Sequence, residues 1–245
     1  MSATHRTEPE AGWAPDRAAL AQARPAWIHV GRRVSQPDVA AFEIDGRRCV
    51  VKDFRPRPRA VRRTWGRWVL RREWRLLERL QGLSGIPRLL GWVDPDAFAM
   101  EWLDAERLPV RKEEGVAPVV CERLAELVGA MHARGVGHGD LRRKNILVDR
   151  DGRPYLIDFA TACVARRGRL GRAWFARLCA IDRLTVLKLK RYYCPDAVTP
   201  EEAAQLEATP FVLRLGRLLR KKVYRPLKPR RLRRRWERVR SLFGK

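Results

Sequence analysis

No stretch of this 245-residue chain approaches the run of about 18 apolar residues that a membrane-spanning helix needs, which argues against a helical integral membrane protein. The opening residues, Met1 to Ala14, carry no apolar block and do not read as a secretory leader, so a cytosolic setting is expected. Histidine is scarce, with four residues, and the five cysteines show no CxxC spacing and no histidine at ligand spacing, which argues against a structural zinc site. An odd cysteine count in that setting predicts reduced, mostly buried thiols. Acids are also few. Asp and Glu number 28 against 53 Lys and Arg, a formal net charge of +25. The imbalance is steepest over 211–245, where 15 basic residues face a single acid. A coding bias accounts for arginine over lysine but not for missing acids, so an anionic partner is expected.

What is present is the composition of a globular protein: 45% hydrophobic residues and nine tryptophans, in a chain long enough for one large domain or two small lobes. The informative stretch is His138-Gly139-Asp140-Leu141-Arg142-Arg143-Lys144-Asn145, followed by the apolar triplet Ile146-Leu147-Val148. The triplet predicts a short buried strand, Asp151-Gly152 a turn, and Tyr155-Leu156-Ile157 the returning strand. Such a hairpin holds Asn145 and Asp158 near one end, where both could share a hard cation such as magnesium with substrate phosphates. Asp140 would face the same spot.

These residues, with Ile157-Asp158-Phe159, resemble the catalytic loop and metal-binding motif of the eukaryotic-type protein kinase superfamily. The His-Gly-Asp form resembles its atypical branches: lipopolysaccharide core sugar kinases, RIO-type kinases and aminoglycoside phosphotransferases. The resemblance implies an α+β, two-lobed protein kinase-like fold. Its small N-lobe would be an antiparallel sheet with one helix, and its C-lobe mainly helical. Along the chain this gives a mobile leader at 1–25, an N-lobe at 26–103, a C-lobe with the catalytic loop at 104–210, and a basic amphipathic tail at 211–245. It also implies that Asp140 orients the acceptor hydroxyl, that Arg142 neutralises the migrating phosphoryl group, and that Asn145 and Asp158 hold Mg2+ for ATP.

Val39 to Ile44 and Arg47 to Phe54, around Asp45-Gly46, predict a hairpin whose second strand carries Lys52. Trp65 to Leu80 has helical apolar spacing, with Glu73 pointing into the apolar face. A carboxylate placed there is costly unless a cation meets it, either Lys52 or a local arginine such as Arg72. In the resemblance Lys52, fixed by Glu73, contacts the nucleotide phosphates. Main-chain groups of Glu101 and Leu103 would meet the adenine edge in a hinge at Met100 to Leu103. One element is thin: Gly31 to Ala40, where the family's phosphate loop falls, has one glycine rather than three. That shifts any phosphate grip onto Arg32, Arg33 and the amides of Ser35 and Gln36.

Pro118 to Arg134 predicts a helix, with His132 read as a surface or packing histidine and His138 as a brace rather than a base. Arg166 to Tyr193 reads as one or two basic amphipathic helices, within which Asp182 would brace the catalytic loop. Ala160 stands where protein kinases have glycine, Gly139 replaces an arginine, and no Ala-Pro-Glu motif follows. The expectation is an ATP-dependent phosphotransferase of lipopolysaccharide-core type. It would act on a hydroxyl of an anionic saccharide or glycolipid, from the cytoplasm or peripherally on the inner membrane through 211–245. Nucleic acid is not expected as a partner, since no recognition pattern accompanies the charge. The alternatives are an atypical serine/threonine protein kinase and a membrane-attached pseudokinase binding module.

Overall fold

The computed structural model describes residues 13–110, 115–165 and 168–207. Over these the chain forms two compact units, one of residues up to Arg71 with Leu90–Trp102, the other of Arg72–Leu89 with residues from Leu103 onward. Within the stretch expected as the N-lobe, Arg72–Leu89 therefore groups with the second unit. The tail at 211–245 lies outside the described residues.

The first unit runs α1 (Arg17–Gln22), β1 (Ala26–His29), β2 (Asp38–Ile44), β3 (Arg47–Asp53), α2 (Arg59–Val61), a π-helical turn at Arg62–Gly66, and the first turns of α3 (Arg67–Leu80). It resumes with β4 (Leu89–Asp94) and β5 (Ala97–Glu101), and its sheet has the order β1-β2-β3-β5-β4. The β2–β3 hairpin is antiparallel and turns at Asp45 and Gly46, both at positive φ (51° and 71°), as the Asp-Gly pair predicts. Buried Cys49, Val51, Leu90, Ala97 and Ala99 form the core on one sheet face, capped by Trp13, Ala14 and Leu20 from the chain's start. Burial there pushes the Cys49 thiol up to about 11.

Over its described part, 13–25, the stretch expected as a mobile leader is instead packed on this sheet. Asp16 caps α1 by accepting from the Ala19 amide at 2.7 Å. Arg17 then bridges two strand ends, its guanidinium pairing with Asp53 and, at 2.7 Å, with Asp94.

The second unit contains the rest of α3, β6 (Glu106–Arg107), α4 (Pro118–Ala133), β7 (Val136–Gly137), β8 (Ile146–Val148), β9 (Pro154–Leu156), β10 (Cys163–Val164), α5 (Arg169–Tyr193) and α6 (Pro200–Glu207). The strands make two small sheets, β6-β8-β9 and β10-β7. α4 buries Val120, Leu124, Leu127, Val128 and Met131, the stripe its spacing predicts, and packs with α5. The basic segment forms a single 25-residue helix, α5, with Cys179, Asp182, Leu184, Val186 and Tyr193 buried. No helix among the described residues is long and apolar enough to cross a membrane. The fold class is the α+β kinase-like one: an antiparallel sheet with a helix, then a unit dominated by helices.

Candidate active site

The catalytic loop is built from the second unit outward. β7 and β10 pair Gly137 with Cys163 and Val136 with Val164, so the chain leaves β7 into the loop beside the end of the Asp-Phe segment. Gly139 follows with φ +72°, a conformation that side-chain-bearing residues rarely adopt. A Cβ there would also stand 3.2 Å from Leu178 Cδ1 and 3.3 Å from the Thr161 carbonyl, which explains glycine rather than arginine at this position. Asp182 of α5, fully buried, accepts hydrogen bonds from the His138 amide at 2.7 Å and the Gly139 amide at 3.0 Å. Its carboxylate also lies 3.1 Å from His132 Nε2. His132 is thus no surface residue: its side chain is 8% exposed and neighbours the loop's anchor. His138, also fully buried, sets its Nε2 3.1 Å from the Ile157 carbonyl and its ring 5.0 Å from that of Phe159.

Two of the expected functional residues, Asp140 and Asn145, are tied together here, and Asp158 follows a residue bonded to the second. Asn145, 2% exposed, donates from Nδ2 to the Asp140 carbonyl at 2.9 Å. Its own carbonyl accepts from the Ile157 amide at 3.0 Å, directly before Asp158. The β8–β9 pairing, Ile146 opposite Leu156, sets that proximity. Asp158 itself takes a left-handed conformation (φ 67°, ψ 67°), and the following Phe159–Thr161 is a 3-10 turn. A left-handed non-glycine residue stores backbone strain of about 1–2 kcal/mol, which aspartate tolerates better than most. The strained position is therefore Asp158 rather than Ala160. Arg142 pairs its Nη2 with Asp140 Oδ2, so the guanidinium expected to meet a phosphoryl group stands beside the candidate base.

α3 contributes two anchors that the sequence reading missed. Glu73, 1% exposed, accepts from the Phe159 amide at 3.1 Å. Arg72 donates Nη1 to the Ala160 carbonyl at 2.7 Å and Nη2 to the Ala162 carbonyl, holding the turn after Asp158. Glu73 and Arg72, the latter one of the two cations expected as candidates to meet that carboxylate, both serve this turn. Lys52 sits on β3 of the first unit, opposite Val39 and 7% exposed. Glu101 ends β5 opposite Cys49, and Leu103 opens the second unit.

Do these groups suit magnesium? The Nδ2 bond of Asn145 assigns its Oδ1 the role of oxygen donor, and Asp158 adds a carboxylate, a hard donor set that fits Mg2+ bound with phosphates. Among the described residues no cluster of three or more His, Cys, Asp and Glu could hold a metal without such help.

Fold and site together define a kinase-like protein of the atypical branch. The chain belongs to the RIO domain family, which matches residues 40–172. It is similar to a probable bifunctional tRNA threonylcarbamoyladenosine biosynthesis protein of Methanosarcina mazei, 31% identical over 121 residues, 48% of this chain and 21% of that one. A protein of the same description from Methanosarcina barkeri is 47% identical over 69 residues, 28% of this chain and 12% of that one. The KEOPS complex subunit Bud32 of Pyrococcus abyssi is 35% identical over 70 residues, 26% of this chain and 30% of that one. The chain thus spans about a fifth of the length of the first of these relatives.

Two expectations are corrected by these findings. A RIO domain with relatives named for tRNA modification, rather than for saccharide phosphorylation, overturns the lipopolysaccharide-core kinase and its glycolipid acceptor. The membrane-surface partner loses its ground with that acceptor, and so does the exclusion of nucleic acid. Net charge indicates an anionic partner without saying which, so it does not favour a glycolipid over a nucleic acid.

Proposed function

We propose that this chain is an ATP-dependent atypical kinase that transfers the γ-phosphate to a serine or threonine hydroxyl of a protein, within an assembly that works on tRNA. What supports the reading is that Asn145, inside a RIO domain, donates to the Asp140 carbonyl at 2.9 Å and accepts from the amide of Ile157, the residue before Asp158, at 3.0 Å. Asp140 would orient the acceptor hydroxyl. As the acceptor oxygen bonds to γ-phosphorus and the bond to the β–γ bridging oxygen breaks, ADP leaves and the proton passes to the Asp140 carboxylate. Arg142, already at that carboxylate, would balance charge as the phosphoryl group arrives. Asn145 and Asp158 would hold the magnesium, which when bound neutralises charge on the phosphates. Lys52 would contact the α- and β-phosphates, and main-chain groups of Glu101 and Leu103 the adenine. Glu73 and Arg72 would keep the Asp158 turn in its strained form. The tRNA setting rests on the relatives' names and on the charge of +25, which suits a polyanion.

The test incubates the protein with γ-labelled ATP and magnesium, with and without a protein extract, and in parallel with tRNA. Label on protein that disappears in Asp140→Ala supports the reading. Stabilisation by Mg-ATP without labelled product would point to a binding module. Label on a saccharide or on tRNA alone would displace the protein acceptor.

A further inference from the structure

Between Asp53 and Glu73 the chain carries eight arginines and no acid, with Trp65 and Trp68 among them. Folding sorts these arginines into two sets. Arg57 is buried against Asp38, Arg62 and Arg67 meet Asp96 at 3.0 and 2.8 Å, and Arg55 reaches Asp94 at 3.4 Å. Arg72 holds the turn after Asp158. The other three, Arg59, Arg63 and Arg71, are exposed. Among them in the chain stand Trp65, 38% exposed, and Trp68, 56% exposed, their rings 5.2 Å apart and tilted by 35°.

The element that carries both indoles is firmly seated. The π-helical turn Arg62–Gly66 closes through the Arg67 amide, which donates to the Arg62 carbonyl. Gly66 is packed so closely that a Cβ there would stand 2.9 Å from Cγ of the fully buried Phe54. Trp65 Nε1 donates at 3.2 Å to the Ser35 carbonyl, in the loop between β1 and β2. With the two bridges to Asp96, the turn is held from three sides. Such turns occur frequently at functional sites, and a platform fixed in advance spares the entropy of ordering it. Trp68 comes three residues after Trp65 and three before Arg71, so indoles and guanidinium follow one another along one side of the helical segment.

Two exposed indoles are too narrow an apolar strip for an amphipathic helix, which needs anchors over two turns, or for burial in a lipid surface. No other large hydrophobic residue is exposed over 55–71. Flat aromatic faces beside exposed guanidinium groups suit instead a base stacked on an indole with its phosphates on the arginines. A duplex covers its base faces, so the fit is to a single strand. We infer that the π-helical turn and the first turns of α3 form a docking surface for single-stranded RNA. Trp68 stacks on a base, Trp65 backs it, and Arg59, Arg63 and Arg71 take the phosphates. The inference deepens the proposed tRNA setting and rests on it for the choice of RNA among polyanions. It supplies the aromatic pattern that the charge alone lacked.

Fluorescence anisotropy of labelled oligoadenylate with the full chain, followed across salt concentrations, tests it, with an RNA duplex of the same length and phosphatidylglycerol vesicles as competitors. The parent should bind the single strand more tightly than either competitor. Trp68→Ala should weaken binding about tenfold with the salt dependence unchanged, and Trp68→Phe should restore most of the loss. Arg59→Ala/Arg63→Ala should lower the slope of log affinity against log salt by about 1.4, as two phosphate contacts to a single strand are lost. All three positions are exposed, so melting temperatures should stay near the parent's. Oligoadenylate binding that none of these substitutions alters would overturn this surface while leaving the tRNA setting standing. Duplex or vesicles bound as tightly as the single strand, with Trp68→Ala like the parent, would overturn the stacking role. A parent chain that binds no RNA would overturn the tRNA setting together with the surface, while label transfer to protein would still report separately on the kinase reading.

Discussion

Two loops of this protein are anchored by the same device, a buried carboxylate that receives backbone amides, and they differ in which side chain meets it. In the second unit Asp182 takes the amides of His138 and Gly139 and is met by His132. In the first, Asp38 takes the Gly31 amide and is met by Arg57. Arginine is permanently charged and carries several donors, so the first loop is tied through its carbonyls as well as an amide. Histidine offers one bond to the carboxylate, and the second loop relies on other residues for the rest, with Asn145 fastening Asp140 and Thr161 Oγ1 donating to the His138 carbonyl at 3.2 Å. The first device fixes a loop whose charged side chains between the anchors, Arg32 and Arg33, are both positive. The second presents the Asp140 carboxylate, and it is held by more anchors from more elements.

The largest expected effect separates the chemistry of the second loop from its anchoring. Asp140→Ala should lower phosphate transfer about a thousandfold while the melting temperature and Mg-ATP binding stay near the parent's, as followed by label transfer and calorimetry. A variant with near-parent turnover would remove Asp140 from the mechanism.

Next come the anchors themselves. Asp182→Ala strips two buried amides and His132 of their acceptor and should cost about 3 kcal/mol in urea denaturation. A loss well under 1 kcal/mol would show that the loop does not depend on it. Gly139→Ala should cost about 1–2 kcal/mol, from the positive φ and the crowding against Leu178, with activity falling further than stability.

The smallest effect concerns the cap on the first unit. Burial alone would raise the Asp94 carboxyl, but its bonds with Arg17, the Asp96 amide and Arg55 outweigh that and hold it below its ordinary 3.8. A depressed carboxyl contributes stability in full above its unfolded value and loses it as pH falls through the folded one. The cap should therefore loosen only below about pH 4, by no more than about 1 kcal/mol, and Asp94→Asn should abolish that acid limb of the pH–stability curve.

The catalytic stretch was readable because its information is local. Asp140, Asn145 and the strand triplet after them lie within one short run, and the Asp151-Gly152 turn brings Asp158 back to the same end. The hairpin around Asp45-Gly46 and the apolar stripe of α4 were readable for the same reason. Glu73 was readable as a buried charge seeking a partner, but the bonds it and Arg72 make to the turn after Asp158 reach backbone groups more than eighty residues away, which carry no sequence mark. α1 looked like unstructured leader because its six residues lack a period, and only the carboxylates at two strand ends give Arg17 somewhere to go.

The sequence by itself determined the chemistry on offer: which carboxylates, carboxamide and lysine stand in kinase-like order, and an excess of positive charge. It could not say which anion that charge serves, because composition sets the sign of a partner and not its identity. The tertiary structure alone decided how the loops are held, since a backbone amide or carbonyl becomes an anchor only when folding brings a distant side chain to it. That is why Asp158 is strained, Gly139 is costly to replace, and a loop short of glycine is closed by Arg57.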